Sequence, residues 1–173
     1  MNGYMYATSF MHGSNRQLVK ARTILDEIMP YADDRVREYA LPKIPLSWYL
    51  EGAEYHLSQQ YDKALACYQN ALKGFIELRK TDDEISVLRH IAEIKGTLYD
   101  VTGSEEAYKQ ALSLSRQTGK SDVQMEILKE LWKIGKTIGD VQQAQAYAAS
   151  IDSLVDVTAD LQTKFTYYNQ KGN

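Results

Sequence analysis

Residues 48–72 read WYLEGAEYHLSQQYDKALACYQNAL, and the alternation of very small with aromatic side chains in this stretch decides the fold. Trp48, Tyr55, Tyr61 and Tyr68 are large and flat, whereas Gly52, Ala64 and Ala71 are nearly bare backbone. Their spacings of three, four and seven set them along single helical faces, and Ser58-Gln59-Gln60 breaks the run in the middle. Two antiparallel helices approach closely only where one presents Gly or Ala and leaves a hole for an aromatic from the other. The stretch therefore predicts a helical hairpin held by a small-to-large interlock.

The same habit extends outward along the chain. All three prolines (Pro30, Pro42, Pro45) lie in the first 45 residues, so everything from Leu46 to Asn173 is free to form long helices. Apolar residues recur at helical spacing, as in Ile85, Leu88, Ile91, Ala92 and in Ile127, Leu128, Leu131, Ile134. Breakers are expected at Ser58-Gln59-Gln60, Lys80-Thr81-Asp82-Asp83, Thr102-Gly103-Ser104, Thr118-Gly119-Lys120-Ser121 and Ile138-Gly139-Asp140. No Asn-Gly or Asp-Gly turn separates alternating apolar runs, and the class expected is all-α. Segment 33–46, with Pro42 and Pro45, is expected to hold a short helix followed by an extended linker.

With 44% apolar and 25% charged residues among 173, the composition is that of one globular domain. The net charge of −3 offers no basic surplus for nucleic acid, and neither nucleic acid nor membrane is expected as a partner. The first dozen residues lack the basic and apolar regions of a signal peptide, no run of about 18 apolar residues occurs, and a cytoplasmic protein is expected. A single cysteine, Cys67, excludes an internal disulfide framework.

The 48–72 stretch resembles the tetratricopeptide repeat, whose helix pair runs W-x2-L-G-x2-Y and then Y-x2-A-x3-F/Y-x2-A. Trp48, Gly52, Tyr55, Tyr61, Ala64, Tyr68 and Ala71 stand at the family's spacing, and only Glu51 departs, in place of Leu. Gly96 and Tyr99 repeat the small-x2-aromatic feature, followed by Ala107 and Ala111. Gly139 and Ala144 fit the turn-then-Ala pattern, which puts Trp132 at the Gly position and Gly135 at the Tyr position. Ala7 and Phe10 fit at the start, Tyr168 and Gly172 at the end. Taking Ala7, Gly52, Gly96, Trp132 and Gly172 as equivalent gives spacings of 45, 44, 36 and 40, against about 34 in the family. The resemblance implies a right-handed α-α superhelix of antiparallel pairs, a single solenoid over 1–173. Its units are expected near 3–30, 46–80, 84–117 and 122–157, with an irregular linker over 31–45 and a further helix over 160–172. That last helix lacks a partner, so the chain is expected to be cut from a longer protein, or to pair as a homodimer through the uncapped end at Phe165 and Tyr168.

No catalytic constellation is expected. Gly135-Lys136-Thr137 and Gly119-Lys120-Ser121 end like phosphate loops, but the earlier glycine each needs is Glu130 or Leu114. His12, His56 and His90 show no paired metal spacing, so no metal and no cofactor are expected, and His56 is taken as a helix-surface residue. Cys67 reads as a structural thiol, and Asp82-Asp83 and Glu105-Glu106 as helix-start carboxylates. The function the resemblance implies is a protein- or peptide-binding module, the sensor or scaffold part of a bacterial regulator; a stand-alone helical regulator or small helical enzyme is the alternative. The family lines its groove with the first helix of each pair. Carried over, the lining is Tyr49, Ala53, His56 and Leu57; then Glu93, Thr97, Asp100 and Val101; then Lys129, Lys133, Lys136 and Thr137. Lys129, Lys133 and Lys136 form one stripe, which reads either as a solvated face or as a basic wall opposite Glu93 and Asp100.

Overall fold

The computed structural model describes residues 15–158. The expectations placed on Ala7, Phe10, His12, the helix over 160–172, Phe165, Tyr168 and Gly172 lie outside the described residues. Helix α1 spans Asn15–Ile28 and passes through a 3-10 turn, Met29–Tyr31, into α2, Asp34–Ala40. Three hairpins follow: α3 (Lys43–Leu57) with α4 (Tyr61–Glu77), α5 (Thr81–Thr97) with α6 (Val101–Gln117), and α7 (Ser121–Ile138) with α8 (Val141–Thr158). From α2 onward each helix packs on the next in the chain, and α1 packs on α3, so the molecule is an all-α solenoid of helix pairs.

The short helix expected in 33–46 is α2, capped by the Asp33 carboxylate, which accepts from Val36 N at 2.8 Å. The extended linker expected after it does not form. Pro42 is the N-cap of α3 and Pro45 lies in its first turn, where helical N–H groups have no intrahelical acceptor and a proline removes nothing. Pro45 is instead buried, and its Cβ would lie 2.8 Å from a side chain added at Gly74.

The second helices begin at Tyr61, Val101 and Val141, a repeat of 40 residues. This corrects the spacings of 44 and 36. The residue equivalent to Gly52 is Ala92, fully buried, and Gly96 lies a turn further along. Tyr99 is no core aromatic: it is 91% exposed in the turn before α6. The slip has a local cause. Thr102-Gly103-Ser104 reads as a breaker but lies inside α6, because the Asp100 carboxylate caps that helix by accepting from Gly103 N at 2.9 Å. For the same reason Glu105 and Glu106 fall beyond the first turn, whereas Asp82 and Asp83 do occupy the first turn of α5.

The interlock is the one the residues imply. A methyl on Gly52 would meet the Tyr68 ring at 2.9 Å and Cys67 Cβ at 3.2 Å. Ala64, Tyr68 and Ala71 are fully buried, with Trp48, Tyr55 and Tyr61 packed partly buried against the same core. In the third hairpin the sizes are exchanged. A methyl on Gly135 would meet the Ala144 backbone at 3.2 Å, and Ala148, two periods after Tyr68, stands beside the cavity that Trp132 also lines. One continuous core runs from Ala64 to Val155.

Candidate functional site

Side chains of the first helices α3, α5 and α7 meet over a cavity of about 1000 Å³, floored by Tyr108 of α6 and by Ala148 and Ile151 of α8. Tyr49 contributes from α3; Ser86, Arg89, His90 and Glu93 from α5; Glu126, Ile127, Lys129, Glu130, Trp132 and Lys133 from α7. Of the expected lining, Tyr49, Glu93, Lys129 and Lys133 are therefore together. Thr97 lies in a smaller recess of about 380 Å³ with Val101, Thr137, Glu93 and Lys133, and Lys136 in one of about 370 Å³ with Trp132 and Ala144. Leu57 projects into solvent; Ala53 and His56 are half-buried on α3 and outside the cavity's lining, His56 with its ring 6.0 Å from that of His90. Asp100 is the cap of α6, its carboxyl held below the usual range by the Gly103 N–H and then by Lys95 at 3.2 Å.

The 40-residue register explains what the sequence reading missed. Three residues before Gly52, Ala92 and Trp132 stand Tyr49, Arg89 and Lys129, and all three line the cavity. Counting from Gly96 put Glu93 in that place and passed over Arg89. Glu93 reaches the wall through the next offset, the one it shares with Lys133.

A basic wall facing an acidic wall does not form. Arg89 of α5 reaches Glu126 of α7 at 2.6 Å, Lys133 holds Glu130 of its own helix at 2.7 Å, and Lys136 lies 4.5 Å above the Trp132 ring. Each wall carries both signs, and among the lining residues Arg89, Lys129 and Lys133 match Glu93, Glu126 and Glu130. The ion pairs are exposed, so each contributes about 0–1 kcal/mol and opens readily to a competing charge.

At the α3 end the cavity meets an aromatic and histidine cluster. His90 stacks on Tyr68 with centroids 5.3 Å apart and planes 7° from parallel, and its Nε2 is 3.1 Å from Tyr49 Oη. His56 stands edge-on to Tyr61, Tyr68 and His90 at 6.0–6.4 Å. Burial lowers the His90 pKa against the opposing pull of Glu93, and raises Tyr49, Tyr68 and, to about 12, Tyr108. Tyr68 Oη is buried without a hydrogen-bond partner among the described residues. Cys67, directly before Tyr68, is 5% exposed, and burial followed by the Glu51 charge pushes its thiol up to about 11, as a structural thiol requires.

No protein-family profile and no curated protein matches the chain by sequence. Solved structures do match. An aspartyl phosphate phosphatase F from Bacillus subtilis superposes with a TM-score of 0.74 at 12% identity, covering 94% of this chain and 43% of that one. A kinesin light chain protein of nearly identical TPR-like repeats from Podosopora anserina gives 0.62 at 14%, covering 95% and 79%. BtubC (BKLC) from P. vanneervenii gives 0.58 at 15%, covering 97% and 85%. The fold is thus that of tetratricopeptide-like helical repeats, and the chain spans less than half the length of the phosphatase it resembles. Among the described residues no helix is long and apolar enough to cross a membrane.

Proposed function

We propose that this chain is an interaction module that holds an extended peptide segment of a partner protein in the cavity between α3, α5 and α7, as the sensor or scaffold part of a regulatory protein. The observation that supports this reading is the cavity itself. At about 1000 Å³ it has room for several side chains, and its lining combines the aromatic faces of Tyr49, Tyr108 and Trp132 with charges of both signs. Such a lining suits a peptide of mixed charge. Lys129 is the anchor for a peptide carboxylate, and the Arg89–Glu126 bridge opens to take one charge of each sign. The regulatory part of the reading draws on the likeness to the bacterial phosphatase structure, of which this chain covers 43%. A cytoplasmic setting is part of the same proposal.

Panning a random peptide library on the folded chain, followed by titration of the enriched peptide, tests the proposal. Charge reversal at Lys129 and Lys133 is expected to weaken binding at least tenfold and flatten its salt dependence, with the urea midpoint unchanged. Reversal of Lys73, on α4 and outside the cavity, is expected to change nothing. Equal losses for both variants, or none for the Lys129/Lys133 pair, would overturn the reading.

A further inference from the structure

We propose that His56, His90 and Glu93 form a binding site for a transition-metal dication of the zinc type at the α3 end of the cavity. One ligand atom from each residue (an imidazole nitrogen from either histidine and a carboxylate oxygen from Glu93) can be chosen so that all three lie within 4.8 Å of one another. A tetrahedral Zn2+ with bonds of about 2.0–2.2 Å holds its ligand atoms roughly 3.4 Å apart. His90 Nδ1 and Glu93 Oε2 are already at 3.6 Å. Closing the remainder asks for rotation of the Glu93 side chain, which is 57% exposed, and of His56 on α3, while His90 keeps its place on Tyr68.

The backbone and the neighbours aim the donors. His90 and Glu93 are three apart on α5 and share a face. His56 comes from α3, where Tyr49, Ala53 and His56 fall on one stripe at spacings of four and three. Two rings of that stripe flank His90, Tyr49 at 5.7 Å and His56 at 6.0 Å. With Nδ1 of His90 turned to Glu93 and the ion, its Nε2–H donates to Tyr49 Oη, the outer contact that fixes the tautomer of a metal-bound imidazole. Tyr68 stacked beneath locks the ring plane. Two imidazoles and one carboxylate suit Zn2+ rather than Mg2+ or Ca2+, which take oxygen shells. A fourth coordination position is left, and His90 and Glu93 both border the cavity. The site is independent of whether a peptide occupies that cavity.

The chain has three histidines, His12, His56 and His90, which makes the test decisive. Zn2+ is titrated by calorimetry, and by competition with a chromophoric chelator, into the untagged, EDTA-stripped 173-residue chain, with folding checked by circular dichroism. One ion per chain is expected, undisplaced by excess Mg2+, and Co2+ in its place should show the intense visible bands of a tetrahedral site. His56→Ala and Glu93→Gln should each weaken binding more than tenfold, Tyr49→Phe about tenfold, and His12→Ala not at all. His56 and Glu93 lie on the part-exposed side of the cluster, so at least one of these variants keeps the fold and the test stands. The proposal is overturned if the parent shows no saturable Zn2+ binding, if Glu93→Gln binds like the parent, or if His12→Ala is the variant that loses the ion.

Discussion

At the scale of single residues, Glu51 shows how a departure from a pattern acquires meaning. The repeat has Leu at this position, and a carboxylate that is 5% exposed would be costly alone. Arg22 of α1, itself 6% exposed, forms an ion pair with it, hydrogen-bonds Ser47 Oγ at 3.3 Å and lies 3.5 Å above the Trp48 ring. The pair joins α1 to α3 beside the apolar contact of Leu18 and Ala21 with Leu46 and Leu50, and nothing in the local sequence of either helix announces it, because the partners are 29 residues apart. Removing one partner leaves a buried charge. Arg22→Ala or Glu51→Ala should therefore cost about 3–5 kcal/mol in urea unfolding. The double variant Arg22→Met with Glu51→Leu, which restores the repeat's own residue, should unfold within about 1 kcal/mol of the parent or above it. A double variant as weak as the worse single one would show that α1 is held by packing shape and not by charge compensation.

At the scale of helices and turns, a 20-residue beat underlies the 40-residue repeat. Gln59, Arg79, Tyr99, Gly119 and Gly139 all have positive φ, between 54° and 78°, and each ends a helix. The next residue's N–H then closes back on a carbonyl five residues earlier: Gln60 to Tyr55, Lys80 to Phe75, Asp100 to Lys95, Lys120 to Ser115 and Asp140 to Gly135, at 2.8–3.2 Å. Only two of the five are glycine; polar runs at Ser58-Gln59-Gln60 and Lys80-Thr81-Asp82-Asp83 still mark two of the others, and the turn at Tyr99 has no such mark. Thr102-Gly103-Ser104 therefore reads as the turn, and the register read from Gly96 stands four residues from the one at Ala92. The left-handed turns also make a reciprocal prediction. Tyr99 is almost wholly exposed and has little packing to lose, so Tyr99→Gly should raise stability by about 0.5–1 kcal/mol. Gly119→Ala, with nothing within 4 Å of the added methyl, should lower it by about 1 kcal/mol through backbone strain alone. Chemical denaturation of both variants checks the pair, and equal signs would refute the assignment of these caps.

At the scale of the whole molecule, stability is shared unevenly. The continuous core links α4 through α8, whereas α1 and α2 rest on two small clusters, Leu25 with Ala40 and Leu18 with Ala21. Among the described residues each hairpin packs chiefly on its neighbours, so opening should begin where the interface is least. Hydrogen exchange is expected to be fastest in α1 and α2 and slowest in α5 and α6, which have hairpins on both sides; uniform protection would show one cooperative unit instead. The sequence by itself determined the class, the hairpin over 48–72 and its small-to-large interlock, because those depend on side-chain size and on spacings of three and four within a few turns. Of the lining carried over from the resemblance, Tyr49, Glu93, Lys129 and Lys133 border the cavity, Glu93 at another offset than the one expected. Tertiary structure alone decided the register between hairpins, the both-signed walls of the cavity, the Arg22–Glu51 pair and the meeting of His56 with His90 across 34 residues. The physical reason is common to all of these. Each depends on which faces of separate helices come together, and a superhelix sets that through turn geometry and helix packing whose sequence signals are non-glycine turns and contacts between distant residues.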